Sequence, residues 1–171
     1  MTIPGAAAAY SLRLLDSTYT GSSIRVRRAS DNAEQDIGFV DNELNSAALA
    51  TFCGSSNGFV KVWYDQAGSN DATQTSTGSQ PKIYDSSTGV VTDNGKPAVE
   101  FDGTNDFLDS TFTVNTTDIG ISSVQRFLNV AGGQLSSTLS EATNGLIYLL
   151  WNNTANNLAF ELSKHHSKCN G

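Results

Sequence analysis

From residue 24 onward apolar and polar positions alternate with a period of two, the spacing of strands that bury one face. In SIRVRR, Ile24 and Val26 point one way and Arg25 and Arg27 the other. In FVKVWYD, Val60, Val62 and Tyr64 share a face, and Phe59, Lys61, Trp63 and Asp65 share the opposite one; large apolar groups on both faces predict a central strand. The segment KPAVEFDGTNDFLDSTFTV predicts a hairpin, with Val99 and Phe101 on one arm, a turn from Gly103, and Phe107 and Leu108 opening the other arm. LIYLLWNNTANNLAFEL predicts a second hairpin, its apolar run from Leu146 to Trp151 returning through Leu158, Phe160 and Leu162. Helix is the minority. Residues 6–15 place Ala8, Leu12 and Leu15 on one modest stripe, and residues 43–52 lie between Asp41-Asn42, an N-cap signal, and Gly54, a C-cap signal. Two short helices beside the sheet are expected.

Composition points the same way. Thr, Ser, Asn and Gly are abundant and Lys and Glu sparse, as in many short strands joined by turns. With no βαβ rhythm, internal repeat or linker, the pattern predicts an all-β, antiparallel two-sheet sandwich or jelly roll, one domain over 1–162 followed by a polar tail over 163–171. A chain of 171 residues can bury a core without a metal or disulfide staple. The net charge of −7 and pI near 4.6 repel phosphate backbones and anionic lipid, which argues against nucleic acid and membrane as partners. No run approaches the roughly 18 apolar residues of a membrane span, and the first 15 residues lack a cationic start before an unbroken apolar core. Synthesis without a secretion signal is therefore expected.

The candidate chemistry is sparse. Cys53 and Cys169 lie far apart and do not form a disulfide framework. Asn115-Thr116-Thr117 and Asn152-Asn153-Thr154 match glycosylation acceptors but read as turn residues without a secretory route. Glu100 and Asp102, two apart on one strand face, are the best carboxylate pair in the first two thirds of the chain, and a solvated strand face beside a turn is the preferred reading of them. Asp93-Asn94-Gly95 and the trio Asp102, Asn105 and Asp106 are oxygen-rich turns open to Ca²⁺, although no EF-hand spacing is present; otherwise no cofactor is expected. Arg25, Arg27 and Arg28 are expected to pair with Asp31, Glu34 and Asp36. His165-His166 lacks the i, i+4 spacing of zinc motifs and belongs to the tail. Trp63 and Trp151 are candidates for stacking on sugar rings, with Gln66 and Asn105 as polar partners, against the alternative that both indoles are core. Asp65, where the strand stops at Tyr64-Asp65-Gln66 and Gly68 follows, is expected to hold a corner by accepting backbone N–H groups.

AYSLRLL, YTGSSIRVRRASDNAEQDIGF, FCGSSNGFVKVWYDQAGSNDATQ, QPKIYD and GKPAVEFDGTNDFL, in that order over roughly residues 8–108, resemble the concanavalin-A-like family of the fungal α-L-arabinofuranosidase B catalytic domain. Similar segments occur in bacterial proteins and in phage structural proteins. The resemblance implies a lectin- and glucanase-type β-sandwich, laminin-G-like in its jelly roll. It also implies that the catalytic carboxylates fall after the matched stretch, where this chain offers Asp109, Asp118, Glu141 and Glu161 outside any alignable motif, so no catalytic residue is assigned. Cys53 matches a family cysteine whose close-spaced partner is missing, with Gly58 near its expected place.

A glycan-facing sandwich without a secretion signal fits a virion, assembled in the host cytoplasm and displayed after lysis. The expected function is thus a non-catalytic phage structural protein, a head decoration, head fibre or tail appendage with weak carbohydrate binding. Its expected partners are other virion proteins, its own copies or a cell-surface glycan. The alternatives are an α-L-arabinofuranosidase-like glycoside hydrolase and an extracellular, lectin-like bacterial surface module.

Overall fold

The computed structural model describes residues 5–111, 122–124 and 126, together with the backbone of strands at 139–140, 146–152 and 158–164. The chain divides into two compact units, Met1–Phe112 and Thr113–Gly171.

In the first unit the alternating segments form the predicted strands. β1 (Ile24–Arg28), β2 (Glu34–Ile37), β3 (Phe39–Val40) and β4 (Glu43–Leu44) precede the helix α1 (Ser46–Cys53). β5 (Gly58–Trp63), β6 (Ala72–Thr73), β7 (Lys82–Asp85) and β8 (Gly89–Val90) follow, then the small hairpin of β9 (Thr92–Asp93) and β10 (Lys96–Pro97) across the Asn94-Gly95 turn. The main sheet is antiparallel in the order β2-β1-β5-β7-β8, with β6 also on β5. β5 is central, as its two apolar faces require. One sheet face carries the core: Ile24, Val26, Val60 and Ile83 are fully buried against Ile37, Leu49 and Cys53, with Leu44 and Leu12 beside them. The fold is all-β, antiparallel and of the sandwich class, with one α-helix among the described residues.

Two helix expectations need correction. Residues 6–15 are not helical; they run as an irregular strap. The hydrogen bonds a helix would have closed locally go to residues far along the chain, including Asn42, Asp65 and Gln66. The second helix starts later than expected. Asp41 and Asn42, at φ 51° and 64°, turn the β3–β4 hairpin with Val40 opposite Glu43, because a left-handed pair matches the twist of the two strands. Asn45 caps α1 instead, its side chain accepting from Ala48 N at 3.0 Å, and Gly54 at φ 57° ends the helix.

The expected faces of β5 change partway along. The β1–β5 register shifts between Arg25 and Val26, leaving Lys61 as an extra residue. Beyond the bulge Trp63 lies opposite Ile24 and packs on the core, and Val62 lies opposite Arg25 on the other face. The hairpin expected around Gly103 is also absent. Glu100 bridges Lys82 and Asp109 bridges Thr73, so the two arms join different strands.

In the second unit, β11 (Leu139–Ser140), β12 (Leu146–Asn152) and β13 (Leu158–Lys164) form an antiparallel sheet in that order. β12 and β13 pair from Leu146 with Lys164 to Asn152 with Leu158, the hairpin expected from the sequence.

Candidate functional site

The sheet face opposite the core is polar, and the register builds it row by row. Side chains directly opposite on antiparallel strands share a face. Glu34, Arg27, Phe59, Lys82 and Glu100 therefore form one row across neighbouring segments. Asp36, Arg25 and Val62 form the next row.

Most charges on this face have partners. Arg25 holds Asp36 through two hydrogen bonds, Nε to Oδ1 at 2.7 Å and Nη2 to Oδ2 at 2.8 Å. The Tyr64 hydroxyl donates to the same Oδ1 at 2.8 Å. The Arg25 guanidinium, helped by Tyr64 against partial burial, keeps the Asp36 carboxyl below its ordinary range. Burial, with the Asp36 contact second, pushes Tyr64 up to about 12. Lys61 Nζ meets Glu34 Oε1 at 2.6 Å, and Arg28 meets Asp31 at 2.7 Å. Arg27 departs from the expected pairing. It is 7% exposed, lies 5.1 Å from the Phe59 ring centre, and donates to Gln80 Oε1 at 2.6 Å, Asn32 Oδ1 at 3.0 Å and the Thr77 carbonyl at 3.2 Å. Neutral acceptors suit a buried guanidinium that must hold a turn without a second charge to desolvate.

The Tyr64-Asp65-Gln66 corner closes one end of β5. Asp65 is 1% exposed; its Oδ1 accepts from Ala9 N and Ala67 N, both at 2.8 Å, and its Oδ2 from Asn70 N at 3.1 Å. Asp71 Oδ1 accepts from Asp65 N at 3.0 Å. A Cβ at Gly68 would lie 3.2 Å from Asp65 Oδ2, so the turn wraps closely around the carboxylate. Gln66 is buried too. Its Oε1 accepts from Leu15 N at 2.8 Å, and its Nε2 donates to the carbonyls of Ser11 at 3.0 Å and Arg13 at 2.8 Å. The sequence signalled a corner but not the strap it fastens, because those contacts span more than fifty residues.

Among the described residues, the expected sugar contacts Trp63, Gln66 and Asn105 are each committed elsewhere in the fold. Gln66 has both amide protons committed inside the strap, and Trp63 packs on the core with its ring centre 6.4 Å from that of Tyr10. Trp63 Nε1 is buried without a hydrogen-bond partner among the described residues. Asn105 Nδ2 donates instead to the Gly78 carbonyl at 3.0 Å and to Ser79 Oγ at 3.3 Å. Trp151 is in β12 opposite Ala159, and its side chain lies outside the described residues, as do Asp118, Glu141, His165, His166 and Cys169.

The oxygen-rich turn is organised by its own backbone. Asp102 Oδ1 accepts from Thr104 N at 2.8 Å, Asn105 N at 3.1 Å and Asp106 N at 3.3 Å, which holds its carboxyl below the ordinary range. Asp106 is raised, first by burial and then by Asp102 and Glu100 nearby. Among the described residues no group of three or more His, Cys, Asp or Glu is arranged to hold a metal ion. Glu100 faces Lys82 across its bridge, while Lys82 Nζ bonds Asp85 at 3.1 Å.

A family model described as "Alpha-L-arabinofuranosidase B, catalytic" matches residues 2–157. Among solved structures the chain is similar to a GH54 α-L-arabinofuranosidase soaked with a cyclic sulfate inhibitor and to an arabinofuranosidase complexed with arabinofuranosyl-α-1,2-xylobiose. Each match has 30% identity and a TM-score of 0.38, covering 40% of this chain and 15% of the other. No match is found among curated proteins. The chain thus spans about 15% of the length of these solved relatives. With nearly its whole length matched by the family model, this chain belongs to the α-L-arabinofuranosidase B catalytic-domain family.

Proposed function

We propose that this chain is a non-hydrolytic carbohydrate-binding module of its family, taking glycan on the polar face of the main sheet. The observation that carries the proposal is the state of that face: Phe59 sits in a row between Arg27 and Lys82, beside carboxylates already neutralised by Arg25 and Lys61. An aromatic ring flanked by fixed hydrogen-bonding groups suits a sugar, whose C–H face stacks while its hydroxyls find donors and acceptors. Retaining hydrolysis instead needs one carboxylate free to attack and a second poised to give a proton, about 5 to 5.5 Å apart. Asp36 is held ionised by Arg25 and Asp65 is enclosed by N–H groups, so neither suits those tasks.

Titration of labelled protein with arabino-oligosaccharides, followed by amide chemical shifts, tests this. The expected result is saturable shifts centred on Arg25, Phe59 and Tyr64, lost in Phe59→Ala while the melting curve remains cooperative. Shifts confined to other segments, or none at millimolar sugar, would overturn it. Hydrolysis remains the second reading because the matched family model is a catalytic one. The structures matched above are arabinofuranosidases rather than virion proteins, and the virion role expected from the sequence draws no support from them.

A further inference from the structure

The strap at residues 5–15 is bound the way a protein binds an extended peptide. Its main chain, more than its side chains, makes the contacts. Ala9 N donates to Asp65, Leu15 N to Gln66 and Leu14 N to the Asn42 carbonyl. In return the strap's carbonyls accept from Asn70 Nδ2 at Ala7, Gln66 N at Ala9, Ser23 Oγ and Gln66 Nε2 at Ser11, and Gln66 Nε2 at Arg13. Among its side chains Leu12, at 8% exposure, joins the main core, Tyr10 packs on Trp63 and donates its hydroxyl to the Asn70 carbonyl, and Arg13 pairs with Glu43 at 3.1 Å. In the link that follows, Asp16 Oδ1 accepts from Thr18 N and Thr18 Oγ1, Tyr19 OH donates to the Ser22 carbonyl, and the Tyr19 ring meets Phe39 edge-on with ring centres 6.4 Å apart.

We infer that the Asp65–Gln66–Asn70 corner is a main-chain-reading groove that accepts the strap of a second copy of this chain, with residues 16–22 as the hinge of exchange. Backbone recognition plus the Leu12 and Tyr10 anchors is indifferent to which copy supplies the segment, since every contact can be remade between two molecules. Leaving the groove uncovers Leu12, parts the Tyr10 ring from Trp63, breaks the Arg13–Glu43 pair and returns peptide groups to water, while the paired strands of the main sheet keep their hydrogen bonds, so the strap opens ahead of the core.

Two measurements test this. Deleting residues 18–20 shortens the hinge, and light scattering after size exclusion is expected to find a dimer. Excess synthetic peptide of residues 7–15 should convert that dimer to monomer, whereas the same peptide carrying Leu12→Ala should need roughly tenfold more, a change that cannot affect folding of the protein. A folded monomer at all concentrations, or equal potency of the two peptides, overturns the inference. The unmodified chain gives an independent reading through hydrogen exchange: the Ala9 and Leu15 amides should exchange about a hundredfold faster than those of Leu49 and Val60. Equal protection at all four would show that the strap does not open separately, and would also overturn it.

Discussion

Asp65 gathers three backbone N–H groups while 1% exposed, and Asp65→Ala removes the acceptor for all of them. Unpaired buried donors are costly, so the variant should lose about 1 to 3 kcal/mol in denaturant unfolding. Sugar-induced shifts per folded molecule should be unchanged, because Asp65 lies under the strap and not on the polar sheet face. Gly58 carries the second residue-level prediction. A Cβ there would lie 2.6 Å from Cys53 Sγ and 3.1 Å from both Tyr84 Cβ and Val26 Cγ1, inside van der Waals contact. Gly58→Ala should therefore destabilise by about 1 to 3 kcal/mol through overpacking. Gly58→Cys points its side chain at the same sulfur, and under oxidising conditions the introduced thiol should close a disulfide with Cys53, detectable as the loss of two titratable thiols in the unfolded protein. In the unsubstituted chain the free Cys53 thiol, which burial pushes up to about 11, should resist alkylation in the native state.

At the scale of elements, α1 depends on a cap that the sequence half concealed. Asn45 supplies the side-chain acceptor, and Asn45→Ala should cost about 0.5 to 2 kcal/mol, measured as a lower denaturation midpoint. Asp41 and Asn42 are equally good cap types, and only the pairing of Val40 with Glu43 shows that they are consumed by a hairpin turn. β1, β5 and the β12–β13 pair were legible because period-two alternation and strand length are local properties. The strap was not legible, since Leu12 and Leu15 mimic a helical stripe while the donors and acceptors that hold the segment straight come from Asp65, Gln66 and Asn70. The bulge at Lys61 was hidden for a similar reason: its register is decided by the partner strand, and it moves Trp63 from the face of Phe59, where strict alternation placed it, to the face that carries the core. Phe59, now central to the proposed sugar face, has no motif of its own; its signal is its register between arginine and lysine.

For the whole molecule, the ion pairs predict how stability varies with pH. Arg25 holds Asp36 below its ordinary range, and Arg28 holds Asp31 at about 2. The unfolded chain binds protons at these carboxyls before the native one does, so their stabilisation is present above about pH 4 and is lost as pH falls toward about 2. Tyr64 behaves in the opposite sense. Its folded value near 12 exceeds the unfolded value near 10, so its contribution is complete below pH 10 and disappears as pH rises through 12. Thermal unfolding should accordingly show an acid limb weakened by Arg25→Met and an alkaline limb weakened by Tyr64→Phe. A midpoint whose acid limb is unchanged in Arg25→Met would mean that the pair with Asp36 contributes nothing in solution. The most direct measurement, however, concerns chemistry. The family matched over residues 2–157 is catalytic, whereas Asp36 and Asp65 are committed to structural partners. Incubation of the purified chain with 4-nitrophenyl α-L-arabinofuranoside should release nitrophenolate no faster than buffer does. Release that copurifies with the protein and vanishes in Glu100→Gln or Glu141→Gln would contradict the non-hydrolytic reading and make this chain a glycosidase.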